Sequence, residues 1–496
     1  MSKIVSNIPL DFTAKKDAFE YQTQAFMAIK DLDYSAIFHE QGLGKTKIAI
    51  DLILYWLQER DIDTVVVVTK KQLINNWEQE VINHTHLRTR VLSSNRTSNF
   101  YVFNSPSKVM LTNFETVLSE LERFKLFLKS RNVAVIIDES TKLKNPDAKI
   151  TKAFFELTDL FKIRTIMTGT PVANRPYDIW SQIFFLDKGQ SLGTDFKEFK
   201  KSTDLSNKLA YDKSERENFE SELSAIFSKI SDFCVRETKE TAGIKLPKKE
   251  YITKRTPFED QQRQLYNKIM HEMQTEIQKD GQMILDDESA SLKRILRLVQ
   301  VASNPRLVDE RYNKVSCKEN VLDDLIKDIE GKGEKCIVWS NFIHNIDWLS
   351  KKYSNLNAVK IHGNMDMTSR NKSVEQFKSN ENCKILFATP QSSKEGLTLT
   401  VANHVIFYDR GFNLDDYLQA QDRIHRISQT RKCFVYNIIA DNSIDEWVDR
   451  LIEAKYHAAL LTQGDIAKDD YESLADYSYG EMIKEILNVW ENENDY

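Results

Sequence analysis

Residues 36–57, AIFHEQGLGKTKIAIDLILYWL, constrain the chain most: an apolar run meets a Gly-Leu-Gly-Lys-Thr turn and then a helix with apolar faces. The order is strand, phosphate loop, helix. Gly42 and Gly44, with Leu43 between them, let the backbone turn tightly with its amides pointed inward. Lys45 supplies a compact positive charge for terminal phosphates, and the Thr46 hydroxyl can ligate Mg2+. Ala49, Leu52, Ile53 and Trp56 recur at helical spacing, so the helix is expected to pack on a sheet with its positive end toward the anion. His39 stands where the complete phosphate-loop pattern has its first glycine.

At 496 residues the chain exceeds what one hydrophobic core usually fills, and two large domains, with or without inserts, are expected. No apolar run approaches the ~20 residues that span a bilayer. The N-terminal MSKIVSNIPLDF lacks the apolar core of a signal peptide, which predicts a soluble intracellular protein with no membrane partner. The cysteines Cys234, Cys317, Cys336, Cys383 and Cys433 are scattered and never form a C-x-x-C pair, against both a disulfide framework and a zinc ribbon. Net charge is −5, unevenly placed: residues 465–496 carry −8, leaving +3 elsewhere. A basic cleft is therefore allowed. The acidic tail reads either as a solvated end or as a competitor of phosphates for that cleft.

Residues 64–69 (TVVVVT), 109–113 (VMLTN), 133–139 (VAVIIDE) and 164–170 (RTIMTGT) are continuous apolar or β-branched runs, suited to strands covered on both faces of a parallel sheet. Residues 1–237 thus read as an α/β nucleotide-binding lobe, with a charged helical insert over about 186–237 marked by Phe219, Leu223, Ile226, Phe227 and Ile230. Asp138 and Glu139 end an apolar strand. Alone they would read as solvated acids; after a phosphate loop in the same lobe they read as a metal ligand and a group that orients the attacking water. The Gly, Pro and lysines of 238–250 mark a linker. Residues 251–464 repeat the alternation, with a helical segment over about 258–302 and strands at 335–341, 358–363, 384–390, 404–409 and 433–439.

In NLDDYLQAQDRIHRISQT, Asn413 can cap a helix with Asp416 three residues later, placing Gln419, Arg423 and Arg426 at i, i+4 and i+7 on one face. Two readings stand: arginines reaching a γ-phosphate, or a surface salt-bridge row with Asp415, Asp416 and Asp422.

The order of these blocks resembles the Swi/Snf-like ATPases of helicase superfamily 2, over about 19–455. Tyr21-Gln22 is similar to the Q motif, GLGKT to motif I, VVVVTKKQLINNWEQEV to motif Ia, TNFETVL to Ib, IIDESTKLKN to II and MTGTPVANRPYDIW to III. VWSNF resembles motif IV, SSKEGLTLTVANHVIFYD motif V and QAQDRIHRISQT motif VI. Thr141 replaces the usual His of motif II, and Lys394-Glu395-Gly396 lacks the usual double Gly of motif V.

The resemblance implies two tandem RecA-like lobes with helical protrusions, ATP between them and DNA across both. It assigns Gln22 to adenine, Lys45 and the loop 42–46 to phosphate, Thr46 and Asp138 to Mg2+, Glu139 to water, and Arg423 and Arg426 to the γ-phosphate; Gly396 joins the ATP-binding set. It implies phosphate-backbone contacts from motifs Ia, Ib, IV and V, for which Lys70, Asn113, Asn341 and Ser393 are picked. The expected function is an ATP-dependent translocase on double-stranded or branched DNA. It is expected to act as a monomer in the cytoplasm of a bacterium or phage-infected cell, among replication or recombination proteins. Its rivals are a strand-separating DNA or RNA helicase and a non-catalytic nucleotide-dependent scaffold.

Overall fold

The computed structural model describes residues 11–280, 288–393, 397–426 and 428–478. Two compact units emerge. The first gathers residues up to Asp204, Glu217–Lys245 and Ala458–Asp470; the second gathers Leu205–Arg216, Leu246–His457 and the residues from Tyr471.

Strands of the first unit are β1 (Tyr34–Ile37), β2 (Thr64–Thr69), β3 (Thr89–Val91), β4 (Val109–Asn113), β5 (Val133–Asp138), β6 (Ile163–Met167) and β7 (Cys234–Val235). They form one sheet in the order β3-β4-β2-β5-β6-β1-β7, and every pairing is parallel. Each residue of β2 and β5 is buried, as expected of β-branched strands covered on both faces. The helices that matter to the site are α1 (Glu20–Ile29), α2 (Lys45–Glu59) and α3 (Ile74–His84). Ile48, Ala49, Leu52, Ile53 and Trp56 of α2 are buried in the core beside Ile37, Val65 and Ile136. Burial of each larger side chain is worth roughly 1.5–3 kcal/mol. Trp56 also donates its indole N–H to the Lys30 carbonyl at 3.2 Å.

The second unit holds β8 (Lys249–Thr256), β9 (Cys336–Trp339), β10 (Val359–Ile361), β11 (Ile385–Ala388), β12 (His404–Phe407) and β13 (Cys433–Ala440). Their order is β10-β11-β9-β12-β13-β8, again parallel throughout. Alternate residues face opposite layers: Ile337 and Trp339 pack with Leu386 and Phe407, while Cys336 and Val338 pack with Ile385 and Ile406. The expected α/β class with two parallel sheets is therefore what the chain adopts. Among the described residues no helix is long and apolar enough to cross a membrane, and all five cysteines are buried thiols.

Three strands lie where none was expected. β3 is a short stretch at the sheet margin, and β7 closes the stretch 186–237 that reads as helical, pairing with β1. β8 begins inside the lysine-rich linker and pairs with β13 over its whole length. Its sequence, KEYITKRT, is charged because it is an edge, where lysines and a glutamate discourage pairing with another chain.

Candidate nucleotide site

In a parallel sheet the loops after β1, β2, β5 and β6 leave the same edge, so four distant stretches of the first unit meet there. The loop after β1 turns through Gly42 (φ 90°) and Gly44 (φ 69°), and Gly44 caps α2. A Cβ at Gly44 would lie 2.3 Å from Gln22 Nε2, so only glycine admits α1 this closely. Gln22 donates through Nε2 to the Leu43 carbonyl at 3.1 Å, as does the Tyr21 hydroxyl, and its Oε1 accepts from the Phe19 amide at 3.0 Å. Gln22, expected to read adenine, is here bonded to the glycine-turned loop. From the loop after β6, a Cβ at Gly169 would lie 2.5 Å from Gln41 Cγ and 3.3 Å from Lys45 Nζ.

Lys45 Nζ donates to the carbonyls of His39 (2.9 Å) and Glu40 (3.3 Å). Burial pulls its pKa down to about 8, against the attraction of Glu139 and Asp138. An anion seated beside Lys45 would favour the charged form again. Asp138 is buried and accepts, on Oδ2, from Trp77 Nε1 at 2.8 Å and Thr69 Oγ1 at 3.2 Å. Burial, with the neighbouring Glu139 charge, pushes it up to about 6, the Trp77 hydrogen bond opposing. Glu139 occupies the left-handed region (φ 58°, ψ 50°) and pairs with Lys70 Nζ at 3.3 Å. Strain of this kind costs roughly 1–3 kcal/mol and persists where the surroundings enforce it. Both carboxylates are therefore held by side chains from the stretch running from the end of β2 into α3. Lys70, expected to meet nucleic acid, is one of these holders. Trp77 was legible only as part of a motif, and nothing local marked its contact with Asp138.

His39 is buried, and burial, then the charges of Lys45 and Arg236, lower its pKa from 6.5 to about 4. Its folded pKa lies below its unfolded one, so the stability it contributes is present above pH 6.5 and lost as the pH falls toward about 4. In urea titrations across this window, wild type should lose stability relative to His39→Gln as the medium is acidified. A pH-independent difference between the two would contradict the neutral ring.

Asn113 caps the helix Phe114–Ser119, its Oδ1 accepting from the Thr116 amide at 2.9 Å. In the second unit, Asn341 Nδ2 donates to Asp409 Oδ1 at 3.1 Å, and Ser303 and Ser340 donate to Oδ2 of the same buried Asp409. Gly396 lies outside the described residues, as does the side chain of Ser393.

The arginine helix differs from expectation. Asn413 does cap it, accepting from the Asp415 amide at 3.1 Å, but it runs only over Leu414–Gln421. Arg423 and Arg426 lie in the turns beyond, so Gln419, Arg423 and Arg426 do not share one helical face. Tertiary bonds stop the helix: the Leu399 amide donates to the Arg423 carbonyl at 2.9 Å, and Ile424 is buried in the core. Arg423 is itself buried, and its Nη1 donates to the Leu397 carbonyl at 3.4 Å. Arg426 donates to Thr398 Oγ1 at 2.6 Å and to the Asp422 carbonyl at 3.1 Å, and burial lowers its pKa.

Residues 32–307 match the SNF2-related domain, and 317–428 match the helicase conserved C-terminal domain. The chain belongs to the SNF2-related family. It is similar to an uncharacterized ATP-dependent helicase of Mycoplasma genitalium, 25% identical over 96% of this chain and 45% of that protein. It is also similar to the putative ATP-dependent helicase/translocase YwqA of Bacillus subtilis, 26% identical over 84% of this chain and 45% of that one. The chain spans less than half the length of either. A solved structure of the Sulfolobus solfataricus SWI2/SNF2 ATPase core in complex with dsDNA aligns over 94% of this chain and 99% of that one, with 23% identity and a TM-score of 0.42.

Proposed function

We propose that this SNF2-family chain hydrolyses ATP and uses the hydrolysis to move along double-stranded or branched DNA, remodelling it by branch migration, fork reversal or protein displacement. The observation that carries the reading is the meeting, at one sheet edge, of a glycine-turned loop at a helix N-terminus, a desolvated Lys45 and the adjacent carboxylates Asp138 and Glu139. Loop amides and Lys45 suit the phosphates of a nucleotide. The desolvated Asp138 carboxylate and the Thr46 hydroxyl are oxygen donors suited to Mg2+, which when bound neutralises phosphate charge. Glu139 is the group to orient and deprotonate water, and Arg423 and Arg426 are the guanidinium donors for a γ-phosphate. The family match, and the likeness to two bacterial proteins named as ATP-dependent helicases, support an ATP-dependent motor. Lys70, Asn113, Asn341 and Ser393 are proposed to meet the nucleic-acid backbone, which implies little sequence preference.

Phosphate release measured with no nucleic acid, linear duplex, single-stranded DNA, RNA and a four-way junction tests the reading. Stimulation by duplex or junction is expected, and it should fall steeply with salt. Stimulation by RNA alone, or by no nucleic acid at all, would overturn it.

A further inference from the structure

Asp465 opens the acidic segment, yet it is fixed within the first unit. The helix Ile444–Thr462 ends at Gly464 (φ 73°), whose amide donates to the Leu461 carbonyl at 3.1 Å while the Asp465 amide donates to that of Leu460 at 2.9 Å. These two bonds make a glycine-ended helix stop, which defines where the next residue points. A Cβ at Gly464 would lie 2.7 Å from the Phe227 ring, so the turn is pressed against the helix Lys213–Ile230. Asp465 is thereby delivered to Arg236. Oδ1 accepts from Arg236 Nε at 2.7 Å, Oδ2 pairs with Nη2, and the two side chains are only 12% and 9% exposed.

The other side of the same guanidinium reaches the residue that leads into the phosphate loop, where Arg236 Nη1 donates to the Phe38 carbonyl at 2.5 Å. Beyond His39 the loop is gripped again. The Glu40 amide donates to the Glu237 carbonyl at 2.8 Å, and the Glu40 carboxylate accepts from the Lys239 amide at 2.8 Å and pairs with Lys239 Nζ at 2.7 Å. The carbonyls that receive Lys45 Nζ, those of His39 and Glu40, lie within this gripped stretch.

We propose that Arg236 and Asp465 are positioning residues of the phosphate loop, so that residues 458–470 set the affinity of the site for a nucleoside triphosphate. The inference rests on reading the loop as the ATP site. Asp465 does two things for Arg236: it compensates a charge that would otherwise be buried alone, and it fixes the planar fork so that Nη1 stays on the Phe38 carbonyl. Without that bond the backbone before the loop loses a fixed point, and its amides are no longer pre-set for an anion.

Equilibrium binding of a fluorescent ATP analogue, with steady-state ATPase in parallel, tests this on the full chain. Asp465→Asn, nearly isosteric but uncharged, is expected to weaken binding and raise KM for ATP about tenfold, with kcat within about threefold of wild type. Asp465→Glu, which keeps the charge, should recover part of the loss. Arg236→Lys, which keeps the charge but loses the fork, should raise KM in the same direction and serves if Asp465→Asn does not fold. Wild-type ATP affinity in a folded Asp465→Asn or Arg236→Lys chain overturns the positioning role alone. A wild-type chain that binds no ATP overturns the reading of the loop itself.

Discussion

Replacing Glu139 by Gln is expected to lower ATP turnover by roughly 10²- to 10⁴-fold, the span associated with losing a positioned general base. Binding of a fluorescent ATP analogue should stay close to wild type. The substitution keeps side-chain shape and removes only the charge and the capacity to take a proton. The main chain at Glu139 should also survive. The following turn, Ser140–Leu143, is anchored by Ser140 Oγ donating to buried Gln182 Oε1 at 2.7 Å. The ion pair with Lys70 is lost with the charge. Phosphate release under saturating ATP and duplex DNA is the measurement. Turnover within tenfold of wild type would remove Glu139 from its role and point to another base.

Asp138→Asn should move activity and stability in opposite directions. Turnover is expected to fall about a thousandfold, because a neutral amide is a poor ligand for a divalent cation. The thermal unfolding midpoint at pH 8 is expected to rise, because the wild-type carboxylate is ionised in a buried site that disfavours its charge. Its folded pKa, about 6, lies above the ordinary 3.8, so the destabilisation is full above pH 6 and is relieved as the pH falls through 6 toward 3.8. The gain from Asn should therefore be largest in alkaline buffer, of order 1–3 kcal/mol, and vanish below about pH 4. The Trp77 and Thr69 donors retain an acceptor in the amide oxygen, so neither is orphaned by the substitution. A variant no more stable than wild type at pH 8 would mean that Asp138 is better compensated than its surroundings indicate.

Elements whose stability is decided by their own residues could be read ahead. β2 and β4 occupy the expected spans because continuous apolar runs can settle only in a sheet covered on both faces. The glycine turn before α2 was legible for a similar reason: few residues other than Gly tolerate the dihedrals of positions 42 and 44. Reading ahead failed where partners distant in the chain compete with a local preference. β8 looks like a linker until β13 supplies its hydrogen bonds, and Arg423 looks helical until Leu399 claims its carbonyl.

The sequence by itself determined the family, the alternation of strand and helix, and the places of the glycine turn and of the paired acids, since each is written in contiguous residues whose conformational options are few. Only the tertiary structure decided which side chains hold those groups. Trp77 bonds Asp138, Lys70 bonds Glu139, and Asp465 locks an arginine 229 residues earlier in the chain onto the carbonyl that precedes the phosphate loop. Such pairings depend on where parallel strands and a glycine-ended helix deliver their ends, and no local propensity encodes the distance between two ends.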